Sequence, residues 1–118
     1  MNIFLIDDED TFNFLNKTVV TMVLPTSKIT VFTNGKEALQ ALESVDELPD
    51  LIFLDMYMPI MSGWDFLDGL KGQHAELKVV MLTSSFDQSE KRKALNYPMV
   101  AGVYSKPLTV EIVKELAS

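Results

Sequence analysis

The chain has no cysteine, a single histidine and few basic residues. Its 118 residues include 10 Lys and Arg against 17 Asp and Glu, which gives a net charge of −7. Without cysteine, neither disulfides nor thiolate metal sites can form. The shortage of positive charge argues against direct nucleic-acid binding and against binding to anionic membranes, since both need clustered Lys and Arg. A cation or a basic partner fits this composition better.

The sequence given also has no apolar run of membrane length. The first apolar run, residues 1–6, is followed at once by acids, lacks a basic leader and is far too short to anchor the chain. We therefore expect a cytoplasmic location. With 47% hydrophobic residues in 118, the sequence predicts one compact domain over residues 1–118.

Short apolar runs recur along the chain and predict five β-strands. Runs of this length, bounded by turn-forming residues, are typical of buried strands. The first, third and fourth are the most continuously apolar, which predicts interior positions in a sheet. The predicted strands cover residues 3–6, 29–32, 51–54, 77–82 and 100–104.

A helical pattern follows each predicted strand, with apolar residues three and four positions apart. The predicted inward faces carry Phe12, Leu15, Val19 and Met22 in the first helix, Ala38, Leu39, Leu42 and Val45 in the second, Phe66, Leu67 and Leu70 in the third, and Val110, Val113 and Leu116 in the fifth. The fourth helix has few large apolar residues besides Leu95, so we expect it to be the most weakly held. The alternation predicts an α/β fold, a flavodoxin-like (βα)5 domain with a parallel sheet in the order 2-1-3-4-5 and helices on both faces.

Polar residues stand at the carboxyl ends of four predicted strands. Strand one ends on Asp7 and Asp8, strand three on Asp55, strand four on Thr83, and strand five on Lys106. The carboxyl ends of parallel strands meet at one edge, which is where open sheets bind ligands. We therefore expect these five side chains to lie together.

Three carboxylates at one edge repel one another. Each pair at ~4 Å repels by roughly 1 to 4 kcal/mol, depending on the effective dielectric. A divalent cation would relieve this repulsion. Because these residues supply only oxygen ligands, they favour a hard metal ion, and Mg²⁺ with retained waters fits best.

These groups are the parts needed for phosphoryl transfer to an aspartate. The metal and Lys106 would neutralise the equatorial oxygens, and the Thr83 hydroxyl would donate a hydrogen bond to one of them. Asp55 would attack in line as the nucleophile. The product would be an acyl phosphate on Asp55.

The same residues resemble the receiver domains of two-component response regulators, over the whole chain. No single motif is specific to this family, but the motifs taken together are. The matching places are Asp7-Asp8, Asp55 within residues 55–59 and its trailing Gly63, Thr83-Ser84, and Lys106-Pro107.

The resemblance implies a role for each matching residue. Asp55 would accept a phosphoryl group from a sensor histidine kinase, from a phosphotransfer protein or from a small phosphodonor. Asp8, Asp55 and the backbone carbonyl of Tyr57 would bind Mg²⁺, with Asp7 in support. The bond before Pro107 would be cis. The domain would be a regulator rather than an enzyme, limited to self-phosphorylation from small donors and autodephosphorylation.

The predicted switch departs from the pattern that the resemblance implies. The switch aromatic of the family usually lies three residues before the lysine, where this chain has Val103, and Tyr104 lies two before. Because side chains alternate along a strand, Tyr104 should face away from Val103. We expect phosphorylation to move Thr83 and the fourth helix, with the partner surface on helix four, strand five and helix five. The downstream effector and a phosphorylation-dependent dimer stay open.

Other interpretations are less favoured. A phosphatase of the haloacid dehalogenase type would need a second acid two residues after Asp55, where Tyr57 stands. A pseudo-receiver that binds partners without phosphorylation would usually lack one of the acids or the lysine. The chain could be a stand-alone regulator or part of a longer regulator or hybrid kinase.

Simpler explanations exist for each residue taken alone. The acids could cap helices or turns, and Lys106 could be a solvated surface lysine. His74 is predicted to be a solvated loop residue, and Trp64 a packing residue. The convergence of all these groups on one edge favours the functional interpretation.

Overall fold

The computed structural model describes residues 1–44, 46–70, 76–84 and 87–117. Strands and helices alternate along the chain, as the apolar patterns predict. The elements are β1 (Asn2–Ile6), α1 (Asp10–Val23), β2 (Lys28–Phe32), α2 (Gly35–Ser44), β3 (Leu51–Asp55), α3 (Gly63–Leu70), β4 (Val79–Thr83), α4 (Gln88–Ala94), β5 (Val100–Ser105) and α5 (Val110–Ala117).

The five strands form one parallel sheet in the order β2-β1-β3-β4-β5. This is the predicted order. Every residue of β3 and β4 is buried, whereas the edge strand β2 has only half-buried and exposed residues and β5 has a single buried one. The difference follows from position, because only interior strands are covered by helices on both faces and by strands on both sides.

Helices cover both faces of the sheet, and each face has its own apolar core. On one face, α2, α3 and α4 pack against Phe4, Ile52 and Met81. On the other, α1 and α5 pack against Leu5 and Phe53. The alternation of side chains along each strand divides the apolar residues between the two cores. Among the described residues, no helix combines the length and apolarity needed to cross a bilayer.

The predicted inward face of α1 is wrong by about one position. Leu15 and Met22 are 40% and 68% exposed. The buried residues of α1 are instead Asn13, Asn16 and Val20. The periodicity argument favours apolar residues at buried positions, and here two of the buried positions are polar.

Each buried asparagine has a specific partner, which explains why it lies inside. The Asn13 side-chain amide donates to the Asp7 carbonyl at 2.8 Å. The Asn16 side-chain oxygen accepts from the backbone N–H of Leu108 at 3.1 Å. A buried polar group that is hydrogen-bonded avoids most of its desolvation penalty. These two bonds tie α1 to the end of β1 and to the segment before α5.

The fourth strand and fourth helix differ in detail from the prediction. Pairing of β4 with β3 begins at Val79, so Leu77 is buried just ahead of the strand. In α4 only Glu90 and Ala94 are buried, and Leu95 is 83% exposed. The helix therefore has even less apolar anchorage than its sequence suggests. Two positions assigned from the pattern, residues 45 and 74, lie outside the described residues.

Candidate functional site

Three carboxylates meet beyond the carboxyl ends of β1 and β3. Asp7 and Asp8 directly follow β1, and Asp55 is the last residue of β3. One carboxylate oxygen from each residue lies within 4.8 Å of the other two. Asp7 and Asp55 are buried, whereas Asp8 is exposed. The structure thus brings together all three acids that the sequence singled out, with Asp8 on the solvent side.

Lys106 reaches these acids from the end of β5. Its Nζ lies 2.8 Å from Oδ2 of Asp7 and 3.2 Å from Oδ1 of Asp55, and its side chain is only 5% exposed. Its backbone N–H donates to the Thr83 carbonyl at 2.8 Å, which joins the ends of β5 and β4. The bond between Lys106 and Pro107 is cis, as expected. Lys106 is therefore part of the site and not a solvated surface lysine.

Backbone and side-chain hydrogen bonds hold Asp7 in place. Its N–H donates to the Phe32 carbonyl of β2 at 3.1 Å. Its Oδ1 accepts from the N–H of Glu9 at 2.9 Å, just before α1 begins. Asp7 therefore makes the local turn contact that the simpler explanation allowed, and its other oxygen still pairs with Lys106.

The environment shifts the pKa of both Asp55 and Lys106, which form an ion pair with each other. Burial, and then the charge of Asp7, raises the pKa of Asp55 to about 6, although Lys106 and the Tyr57 N–H act in the opposite direction. Burial alone would lower the pKa of Lys106, but its bonds and charge interactions with Asp7 and Asp55 outweigh burial and raise it. A carboxyl at the centre of the site that is hard to ionise is a feature of functional sites.

Thr83 and Ser84 occupy different positions around the site. Thr83, the last residue of β4, is fully buried. Ser84 is exposed and, with Asp8, Asp55 and Lys106, lines a cavity of about 230 Å³. Ser84 therefore lines the cavity, whereas Thr83 is buried and is not among the lining residues.

The local backbone explains why a glycine, Gly63, follows the segment 55–59. A Cβ at Gly63 would lie 2.6 Å from the Asp55 carbonyl oxygen and 3.0 Å from Cα of Met56. The Gly63 N–H donates to the Met56 carbonyl at 2.8 Å. Only glycine allows the start of α3 to approach β3 this closely. This contact fixes the loop that carries Tyr57.

Sequence reasoning missed two contacts of aromatic side chains at the site. The Phe12 ring, assigned to a core stripe, lies 4.2 Å from Nζ of Lys106 and covers the ammonium. The Tyr57 hydroxyl donates to Oε2 of Glu90 in α4 at 2.8 Å. Neither contact has a signal in the sequence, because both join residues from separate elements.

The donor set at the site fits Mg²⁺. Asp7, Asp8 and Asp55 offer carboxylate oxygens that lie within 4.8 Å of one another. Hard divalent cations prefer such ligands, and Mg²⁺ keeps several waters when few carboxylates bind it. The exposed carboxylate of Asp8 gives this acid cluster an opening to solvent.

A family model described as "Response regulator receiver domain" matches residues 3–117. The chain belongs to this family. Response regulator receiver domains act in two-component systems, where they interact with histidine kinases or phosphotransfer proteins and bind Mg²⁺ at an acidic pocket. They are regulators rather than enzymes in the usual sense. The match extends over both halves of the acid cluster and over Lys106.

Two curated relatives of this receiver domain are response regulators. The probable C4-dicarboxylate response regulator DctR of Priestia megaterium is 28% identical over 113 residues, which is 96% of this chain and 48% of that protein. The nitrate/nitrite response regulator protein NarL of Escherichia coli K12 is 31% identical over 93 residues, 79% of this chain and 42% of NarL. The chain therefore spans less than half the length of these relatives.

Solved structures share the receiver fold. A two-component response regulator from Cytophaga hutchinsonii superposes with a TM-score of 0.91 at 32% identity, over 98% of this chain and 92% of that one. The Vibrio cholerae chemotaxis protein CheY4 superposes with a TM-score of 0.83 at 21% identity, over 98% and 95% of the two chains. The second likeness is one of fold alone.

Val103 and Tyr104 face opposite sides of the receiver sheet, as predicted. Val103 is buried in the core under α4, on the same face as Met81. Tyr104 packs in the core under α1 and α5. Trp64 is 8% exposed and packs in the first core, which confirms its assignment as a packing residue.

Proposed function

We propose that this receiver domain takes a phosphoryl group on Asp55 in a reaction that depends on Mg²⁺. The observation that carries the proposal is the contact of Lys106 with Asp55 at 3.2 Å inside a cluster of three acids. A buried aspartate beside two further acids and one lysine has few structural uses. Phosphoryl transfer needs this combination of nucleophile and positive charge.

Each residue has a defined part in the proposed reaction. An oxygen of Asp55 forms a bond to phosphorus while the bond from phosphorus to the donor breaks. The donor is the phosphohistidine of a kinase or phosphotransfer protein, or a small acyl phosphate, and its nitrogen or oxygen keeps the electron pair. Lys106 and the hydroxyls of Thr83 and Ser84 stabilise the phosphoryl oxygens.

We assign the metal ligands as Asp8, Asp55 and the backbone carbonyl of Tyr57, with Asp7 in a supporting position. Bound Mg²⁺ would supply positive charge to the phosphoryl oxygens. Because Asp55 has a pKa raised to about 6, positive charge nearby also favours the ionised form that attacks. Phosphorylation would then change the surface formed by α4, β5 and α5, where an effector binds.

Intact-mass spectrometry with acetyl phosphate tests the proposal. We expect one phosphoryl group to be added in Mg²⁺ and none in EDTA. Asp55→Asn should abolish the adduct, while Asp46→Asn, at an exposed position between α2 and β3, should leave it unchanged. A phosphoryl adduct that still forms in Asp55→Asn, or that forms equally in EDTA, would refute the proposal.

The same assay separates the alternative functions. A phosphatase of the haloacid dehalogenase type would hydrolyse an added phosphomonoester, which we do not expect because Tyr57 occupies the place of the second acid. A pseudo-receiver would gain no mass from acetyl phosphate. Only a phosphoaccepting receiver domain gains one phosphoryl group without turning over the monoester.

A further inference from the structure

A hydrogen bond joins the loop after β3 to the first turn of α4. Tyr57, two residues after Asp55, donates its hydroxyl to Oε2 of Glu90 at 2.8 Å. Glu90 is only 6% exposed although it belongs to a short surface helix. The bond therefore connects a residue next to Asp55 directly to the first turn of α4.

Glu90 depends on this bond for its buried position. A buried carboxylate is costly unless its oxygens are hydrogen-bonded. Within the described part of the chain, Oε1 of Glu90 has no hydrogen-bond partner, whereas Oε2 accepts from the Tyr57 hydroxyl. If that donor were lost, the Glu90 carboxylate would be driven toward solvent.

The first turn of α4 would move with Glu90. The helix buries only Glu90 and Ala94, and its Leu95 is exposed. At its other end, Lys93 lies 4.7 Å from the Trp64 ring, and Tyr97 just beyond the helix is tied to α3. Glu90 is thus the buried contact of the first turn, and its release would free that turn rather than the whole helix.

Tyr57 also belongs to the proposed metal site through its backbone. Its N–H lies 3.4 Å from Oδ1 of Asp55, and its carbonyl is the proposed metal ligand. Tyr57 therefore contacts Asp55 through its backbone and Glu90 through its hydroxyl.

We propose that the hydrogen bond between Tyr57 and Glu90 is a latch that couples the phosphoacceptor loop to α4. Glu90 acts as a positioning residue through Tyr57. When the site fills, a shift of the Tyr57 backbone is passed along its side chain to the first turn of α4. The coupling rests on the proposed phosphoacceptor function, whereas the restraint of α4 by the latch does not.

The latch provides a connection between the site and α4 for which β5 has no suitable aromatic side chain. Val103 is small, and Tyr104 packs on the face covered by α1 and α5. Neither can transmit a change from the site to α4 by moving an aromatic ring between them. Tyr57 supplies the aromatic side chain from the opposite side of the site.

Hydrogen exchange of the metal-free protein tests the restraint. Tyr57→Phe removes only the hydroxyl, and we expect the amides of residues 91–94 to exchange about tenfold faster, the usual effect of losing a hydrogen bond to a charged group. Glu90→Gln keeps an acceptor oxygen without the charge, so its exchange should lie between that of the wild type and that of Tyr57→Phe. Glu90→Ala should exchange faster, and the double variant Tyr57→Phe, Glu90→Ala no faster than Glu90→Ala alone.

Tyr97→Phe is the matched control. Its hydroxyl donates to Oδ1 of Asp68 at 2.8 Å, so the variant loses the same kind of tyrosine–carboxylate bond at the opposite end of α4, away from Tyr57. The second measurement repeats the exchange after adding Mg²⁺ and beryllofluoride, a phosphoryl mimic. We expect the wild type and Tyr97→Phe to change exchange in residues 91–94, and Tyr57→Phe to lose most of that change.

Two results would overturn the latch. One is metal-free exchange in Tyr57→Phe equal to that of the wild type, which removes the restraint. The other is an undiminished response of Tyr57→Phe to Mg²⁺ and beryllofluoride, which removes the coupling. A wild type that takes up no phosphoryl group in the mass assay would instead refute the proposed function, and the metal-free exchange would still decide whether the latch restrains α4.

Discussion

Lys106 places its ammonium 2.8 Å from Oδ2 of Asp7, so a lysine that directly follows the last strand neutralises an acid that directly follows the first strand. The same ammonium lies 3.2 Å from Asp55. One positive charge therefore serves two buried acids, with the third acid, Asp8, close by. The site holds more negative than positive charge, and this imbalance determines how the metal-free protein responds to pH and to Mg²⁺.

The first prediction concerns Asp55 and pH in the absence of metal. Its pKa is about 6 in the folded protein, against an ordinary value of 3.8. Between these values the folded state keeps a proton that the unfolded state has lost. The contribution of Asp55 to the free energy of unfolding therefore falls as pH rises from about 4 to about 6, and the loss persists above that range.

Removing this charge should stabilise the protein at neutral pH. We expect Asp55→Asn to raise the free energy of unfolding at pH 7 by at most about 3 kcal/mol, the equivalent of the pKa rise, which already includes the pairing of Asp55 with Lys106. At pH 4 the variant should gain little. Urea unfolding in EDTA at both pH values checks this, and a variant that is less stable at pH 7 than the wild type contradicts it.

The second prediction separates metal binding from stability. Asp8 is exposed, so Asp8→Ala removes no packing and relieves repulsion among the acids. The variant should melt at the same temperature as the metal-free wild type or higher, and should lose the stabilisation that millimolar Mg²⁺ gives the wild type. Thermal melts with and without Mg²⁺ measure both effects. A wild type indifferent to Mg²⁺, or a variant that melts much lower, would rule the idea out.

The third prediction uses the close approach of α3 to β3. In Gly63→Ala the new methyl would meet the Asp55 carbonyl oxygen at 2.6 Å, and backbone must shift to admit it. We expect a loss of about 1–3 kcal/mol in unfolding free energy, as for other overpacked sites, and slower phosphorylation because Asp55 moves.

Gly69→Ala provides the control for the Gly63 variant. Its methyl would meet Cδ1 of Leu39 at 2.9 Å, the flexible end of a side chain that can rotate away. Alanine in a helix is favoured over glycine by about 1 kcal/mol. Denaturant unfolding should therefore show this variant to be as stable as the wild type or more so. If the two glycine variants lose equal stability, the close contact at Gly63 is not the cause.

The fourth prediction is that Tyr104 does not act as the switch. Its ring lies over Gly102, where a Cβ would approach ring atom Cε2 to 2.9 Å, and it packs in the core under α1 and α5. We expect a structure with Mg²⁺ and beryllofluoride to show Tyr104 unmoved, while Thr83 and α4 shift. A Tyr104 ring found turned inward against Thr83 would show that an aromatic on β5 does take part.

Much of the fold could be predicted from the sequence because it rests on local patterns. Continuous apolar runs identify β1 and β3, and their burial on both faces determines that they lie inside the sheet. The acids and Lys106 could be placed at one edge because they follow strands, and parallel strands end together. Periodicity also predicted the buried face of α3, where Phe66 and Leu67 are fully buried.

The sequence by itself thus determined that the three acids and Lys106 reach the site, since a residue at the end of a strand goes where the strand goes. Only the tertiary structure decided which polar groups inside the protein find partners. Asn13 is buried because of a carbonyl on another element. Glu90 is buried because of a hydroxyl 33 positions away in sequence. Such pairings depend on distances between elements, which hydrophobic periodicity does not encode.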